Sequence, residues 1–198
     1  MLSLLRDAGW PIWPLLATSV LGLALILERL LSLRRSLVLP SGLSEQVNEM
    51  ARLQEDSPEA LNRLERNSPL GRILAEVLRM RHAPREALRD AVETAGQGIA
   101  QELNRYIPAI GTVAMVAPLM GLFGTVVGMI EIFGAYNPGS TDPAQLAHGI
   151  SVALYNTGFG ILIAIPATIA HRFFRSRVDS YLNTMEQLAA RLARGVQA

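Results

Sequence analysis

Thr125 and Thr157 are hydroxyls set deep in two runs that contain no Asp, Glu, Lys or Arg. The runs are Tyr106 to Ile130 (YIPAIGTVAMVAPLMGLFGTVVGMI) and Pro143 to Ala170 (PAQLAHGISVALYNTGFGILIAIPATIA). Each exceeds the roughly 20 apolar residues that cross a bilayer core as a helix. Thr125 lies ten residues before Ala135 and Thr157 nine after His148, hence about 15 Å and about 14 Å inside their spans at 1.5 Å per residue. The two hydroxyls therefore share a depth near mid-membrane. Polar groups there mark ion or substrate paths, but a helical threonine also bonds back to its own carbonyl and serves packing. Both readings stand on sequence alone. Asn156, beside Thr157, is a weaker lining candidate, since an amide carries no proton at physiological pH.

The other ionisable groups are shallow. Glu131 is six residues beyond Thr125 and His148 opens the second run, which makes them candidates for the outer mouth of a path at wetted helix ends. No carboxylate lies at the depth of the threonines. An ion crossing there needs a charged carrier supplied by another polypeptide. The glycines of GLFGTVVG are followed by no Lys and sit in an apolar span. Gly121, Gly124 and Gly128, with Gly158 and Gly160 opposite, are helix-packing positions and form no phosphate loop. With no Cys and three His at unpaired spacings (His82, His148, His171), the chain offers no thiolate or H-E-x-x-H metal site. No cofactor is expected. No nucleophile–base constellation appears either, so an enzyme is not expected.

The elements that hold these residues follow from charge and apolarity. In 198 residues, half of them apolar, there is room for three spans and one modest helical region. Residues 8–31 form a first span, with Trp10 and Trp13 at an interface and no small-x-small cleavage site before Glu28 and Arg29. Residues 106–134 and 148–171 form the second and third spans, joined by a turn over 135–147. Arg29, Arg34 and Arg35, then Arg89 and Arg105, then Arg172, Arg175 and Arg177 flank the same ends of the spans, whereas the turn carries no Arg. The positive-inside rule thus places residues 1–7 and the turn outside, and residues 32–105 and 172–198 in the cytoplasm. All basic residues are Arg, and the net charge of +1 points to no nucleic-acid partner.

Between Ser32 and Arg105, eleven Arg balance eleven acidic residues, as on a solvated surface. Ser57-Pro58 and Ser68-Pro69 read as N-caps with proline in the first turn, and Pro84 opens a further helix. The expected helices are Gly42–Gln54, Pro58–Arg66, Pro69–Arg81 and one from Pro84 that runs through Arg105 into span two, with Pro108 as its kink point. After span three, Phe174, Val178, Tyr181, Met185, Leu188 and Leu192 form an amphipathic stripe. It packs on the Pro84–Arg105 helix or on a neighbouring subunit. The fold class is all-α, an integral membrane protein whose long second and third helices extend into a cytoplasmic helical region.

APLMGLFGTVVGMI (Ala117–Ile130) and GISVALYNTGFGILIAIPA (Gly149–Ala167) resemble the second- and third-span motifs of the ExbB/TolQ/MotA proton-channel family, and the AIPA ending and short N-terminus look most like ExbB or TolQ. The resemblance implies a bacterial inner-membrane subunit, assembled as a homopentamer around single-span helices of an ExbD- or TolR-like partner. That partner's membrane Asp is the ion-carrying group. Thr125 and Thr157 match the threonines that face it. Ion flow then drives motion passed to a TonB- or TolA-like protein, for biopolymer transport or, in a TolQ-like role, envelope maintenance. A non-conducting helical scaffold is the alternative from a different class. Val152 stands where the resembling proteins carry a Glu.

Overall fold

The computed structural model describes residues 9–53, 56–134 and 143–196, and among these every regular element is a helix. In chain order they are α1 (Ile12–Ser32), α2 (Arg35–Val38), α3 (Leu43–Leu53), α4 (Pro58–Asn67), α5 (Pro69–Arg79), α6 (Arg85–Asn104), α7 (Ile107–Gly134) and α8 (Pro143–Val196). The expected all-α fold with three span-length apolar helices is present. The apolar windows of those three segments are only 17%, 28% and 33% buried within the chain, so hydrocarbon or neighbouring helices must cover the remainder. Residues 1–8, 54 and 135–142, which include the expected N-terminal segment and most of the expected turn, lie outside the described residues. The rest of that turn, 143–147, is helical, because α8 opens at Pro143, a residue suited to the first helical turn, and not at His148.

The chain divides into two compact units, one comprising the N-terminus to Glu28 with Tyr106–Phe173, the other Arg29–Arg105 with Phe174 onward. In the first unit α7 buries Ile107, Ile110, Val113, Ala117, Gly121, Gly124 and Gly128, a stripe spaced three and four residues apart that stays on one helix face. The facing stripe of α8 is Ala153, Asn156, Gly160, Ala164 and Ala167. Along α7 this stripe shrinks from isoleucine through alanine to glycine, so the backbones touch where Gly121 meets Gly160. Contacts fall in α8 as they rise in α7, from Gly111 beside His171 to Gly128 beside Ala153, which makes the pair antiparallel.

In the second unit α5 is the hub, packing against α2, α3, α4 and α6. Leu70, Ile73, Leu74, Ala75, Val77 and Leu78 are all almost wholly buried. Within this unit Phe174, Val178, Tyr181, Met185 and Leu192 of α8 are buried as the stripe requires, and the Tyr181 hydroxyl donates to the Leu33 carbonyl at 3.0 Å. Arg81 pairs with Asp56 at 2.8 Å, and Arg79 bridges Glu65 and Glu76 at 3.0 and 2.8 Å. The Glu65 carboxylate above all holds the Arg79 guanidinium above its ordinary pKa.

The caps form at the expected serines, with Pro58 and Pro69 opening their helices. The helix from Pro84 differs from expectation. It starts at Arg85, with Pro84 as N-cap, and it does not continue into span two. The break falls at Tyr106, whose φ of 66° is left-handed, a conformation that costs a side-chain-bearing residue about 1–2 kcal/mol; Pro108 simply sits in the first turn of α7. Arg29, expected as a boundary residue, is buried and donates to the Leu103 carbonyl at 3.2 Å. That oxygen belongs to the last turn of α6, where carbonyls lack helical donors.

Ser68 is buried and accepts from the Gly71 amide at 3.0 Å, whereas exposed Ser57 accepts from Ala60 at 3.3 Å. Ser68→Ala is therefore expected to cost about 1 kcal/mol and Ser57→Ala no more than about 0.5 kcal/mol. Thermal midpoints of the detergent-purified chain check the order; equal midpoints contradict it.

Candidate functional site

The site is built on the closest approach of α7 and α8. A Cβ on Gly121 would stand 2.8 Å from the Asn156 carbonyl oxygen, and one on Gly160 only 2.6 Å from the Ala117 carbonyl oxygen. A Cβ on Gly124 would fall 2.5 Å from the Asn156 Cβ. Only residues without side chains permit this contact, which is why glycine recurs at turn spacing. Gly128 is looser, 3.3 Å from the Gly149 carbonyl oxygen. Gly158, expected with the packing glycines, differs: it is exposed, with nothing within 4 Å of its Cβ position. On α8 it sits away from the face that meets α7.

At about 100° per residue, Thr125 stands about 70° around α7 from the line through Gly121, Gly124 and Gly128. Thr157 stands the same angle around α8 from Ala153, Asn156 and Gly160. Because the helices are antiparallel, equal rotations in sequence lead to the same edge of the hairpin. The structure thus brings the two threonines to one edge and one level of the helix pair, both partly exposed. The opposite edge is covered by α1. Ile12 and Leu15 form a buried cluster there with Leu16, Met120, Phe159 and Ile163, and Gly22 lies against Val113.

Each hydroxyl has a carbonyl partner. Thr125 donates to Leu122 of its own helix at 2.7 Å; Thr157 donates across the interface to Gly121 at 3.4 Å. In helical geometry the Gly121 carbonyl also accepts from the Thr125 amide. The two threonines therefore meet around one backbone oxygen. Thr168 lies on the same edge, 11 residues and about 16 Å further along α8, bonded back to Ala164 at 2.8 Å. It was not among the expected residues, although its spacing of three turns from Thr157 was the available signal.

Other expected residues fall elsewhere. Asn156 is wholly buried against Gly124, and its amide donates to the Val152 carbonyl at 3.0 Å. It is locked in the helix interface and does not line the threonine edge. Glu131 and His148 are exposed, and their helical phases turn them toward the edge that α1 covers, away from the threonines. Val152 is buried on that side as well, next to Gly9. Among the described residues no group of His, Asp and Glu is placed to hold a metal.

Residues 65–187, spanning both threonines, the glycine contacts and the connecting helices, match the MotA/TolQ/ExbB proton channel family. The chain belongs to that family. Among curated relatives, an ExbB-like biopolymer transport protein of Synechocystis sp. is 34% identical over 82% of this chain and 79% of its own length. The biopolymer transport protein exbB1 of Vibrio cholerae is 30% identical over 93% and 83%. The Tol-Pal system protein TolQ of Haemophilus influenzae is 38% identical over 44% of this chain and 37% of its own. Family membership fixes the broad class as a membrane protein of a proton-channel family that serves energy transduction.

Placing a methyl at the backbone contact forces the helices apart. Gly121→Ala and Gly124→Ala are each expected to destabilise the purified chain by about 1–3 kcal/mol, whereas Gly158→Ala leaves the thermal midpoint unchanged or raised. Equal effects at the three positions would contradict the assigned contact.

Proposed function

We propose that this chain is the ExbB-like subunit of an ion-driven motor in a bacterial inner membrane, energising TonB-dependent transport across the outer membrane. The observation that carries the reading is the pair of threonines at one depth on the hairpin edge that α1 leaves open. Two hydroxyls there can solvate an ionisable group at a level where this chain has none of its own. The missing group is a carboxyl on the single membrane helix of an ExbD- or TolR-like partner. Copies of this chain, five by family resemblance, surround that helix with their threonine edges turned inward. The N-terminus and the turn after α7 face the periplasm, and the Arg-flanked ends face the cytoplasm.

Ion passage then runs as follows. The partner carboxyl takes up a proton from one side, becomes neutral and crosses the low-dielectric level held against the hydroxyls. It releases the proton on the other side. The change of charge alters which ring surface the partner helix prefers, and repeated uptake and release drive relative motion. That motion passes to a TonB- or TolA-like protein. The match to TolQ supports a second reading, an envelope-maintenance role with the same membrane chemistry. The alternative from a different class is a non-conducting scaffold, supported by the absence of a mid-membrane charge in this chain.

Thr125→Val and Thr157→Val each remove one hydrogen-bonding group worth about 1.5 kcal/mol. Each is expected to lower ion-dependent transport by about tenfold while the variants still assemble and co-purify with the partner. Unaltered transport in both overturns the path. Proton flux into vesicles is expected only when the chain is reconstituted with a single-span, carboxyl-bearing partner. Flux through the purified chain alone contradicts the proposal, and full function after Asp→Asn in the partner's span favours the scaffold.

A further inference from the structure

This inference rests on the reading above, that the threonine edge meets a carboxyl from another chain. The two hydroxyls do not offer that carboxyl the same chemistry. A hydroxyl has one proton to donate and two lone pairs to accept with. The Thr125 proton is committed to the Leu122 carbonyl at 2.7 Å, a short bond within its own helix. What Thr125 shows to the open edge is lone pairs. Thr157 reaches the Gly121 carbonyl at 3.4 Å, beyond the usual range for a hydroxyl donor. That carbonyl is already served by the Thr125 amide in helical geometry. Turning the Thr157 proton outward therefore sacrifices little, and turning that of Thr125 sacrifices a full bond.

We infer that Thr125 is the residue that selects the protonated acid, while Thr157 serves as the donor that either form of the carboxyl can use. A neutral carboxyl has one O–H to give and one C=O to receive. Its O–H donates to Thr125 Oγ1 and its C=O accepts from Thr157. On ionisation the O–H bond breaks, its electron pair stays on the carboxylate and the proton leaves to water. The contact with Thr125 then becomes lone pair against lone pair, while that with Thr157 becomes a charge-assisted bond and strengthens. The pair thus works in opposition, Thr125 favouring the neutral form that crosses and Thr157 favouring the charged form that waits for a proton. Asn156 does not enter, since its amide donates inward to Val152.

The experiment is an infrared pH titration of the purified complex of this chain with its co-purified single-span partner. The acid C=O band of the membrane carboxyl is assigned by its loss in the partner's Asp→Asn variant. Thr125→Val is expected to shift the band's midpoint down by about one pH unit, and Thr157→Val to shift it up by a comparable amount, each being the loss of one such bond. Thr125→Ser and Thr157→Ser are expected to restore the wild-type midpoint. Shifts in the same direction, or no shift in Thr125→Val, overturn the inference while leaving the carboxyl-bearing partner in place. A wild-type midpoint that moves with sodium concentration also overturns it, because the lone pairs then serve a metal cation. If no membrane carboxyl titrates in the complex, the motor reading itself fails, and the inference with it.

Discussion

The contact between the α7 and α8 backbones at Gly121, Gly124 and Gly160 sets everything else in the membrane unit. Two helices carrying ordinary side chains run 8–10 Å apart, and at that separation a threonine on one does not reach a carbonyl on the other. Here the hypothetical Cβ positions fall within 2.5–2.8 Å of atoms across the interface. The Thr157 hydroxyl consequently finds the Gly121 oxygen without a long side chain to bridge the gap. Apolar helices in lipid gain nothing from the hydrophobic effect on pairing, so close packing of small residues is what holds such a hairpin together. Packing and polarity are one design at this level. The glycines that let the helices meet also bring two hydroxyls to one edge.

That edge is polar but uncharged, and the difference decides what the chain can do alone. A bare ion at mid-membrane depth faces a large desolvation penalty, and two hydroxyls do not supply a counter-charge. They can solvate a group that alternates between neutral and charged. The covering of the other edge by α1, through Leu15, Met120 and Phe159, leaves the threonine edge as the side open to another helix. Val152 is buried beside Gly9 on the α1 side, so a carboxylate in its place would lie off the threonine edge. The departure from the resembling sequences at this position therefore leaves the threonine geometry untouched.

Much of this was legible in the sequence because charge and apolarity act over whole segments. The three span-length helices, the serine caps at Ser57 and Ser68 and the stripe from Phe174 to Leu192 depend on local periodicity and cap chemistry. They form, except that Ala189 is buried where Leu188 was expected and α8 opens at Pro143, ahead of the expected span. Relative level could be counted, and both threonines come to one level of the α7–α8 pair, beside the Gly121 carbonyl. Facing direction was harder. Gly158 shares its residue type with Gly160, and only helical phase against a known partner separates an exposed glycine from a packed one. Asn156 looked like a lining group because polarity shows in sequence and burial does not. Thr168 shares the threonine edge, and its three-turn spacing from Thr157 is the one sign of this that the sequence carries. The break at Tyr106 had no local signal, since neither glycine nor asparagine marks its left-handed backbone.

The absence of native cysteine allows the central claim to be tested directly by single-cysteine cross-linking in membranes. Cysteines placed at Leu122 or Ile161 report on the threonine edge, and cysteines at Met120 or Phe159 on the edge under α1. The account predicts that the first pair cross-links to a single-span chain, at positions flanking an Asp in its membrane helix, and that the second pair does not. Cross-links to that chain from the α1 edge alone, or none from the threonine edge in an assembled and active complex, would contradict it.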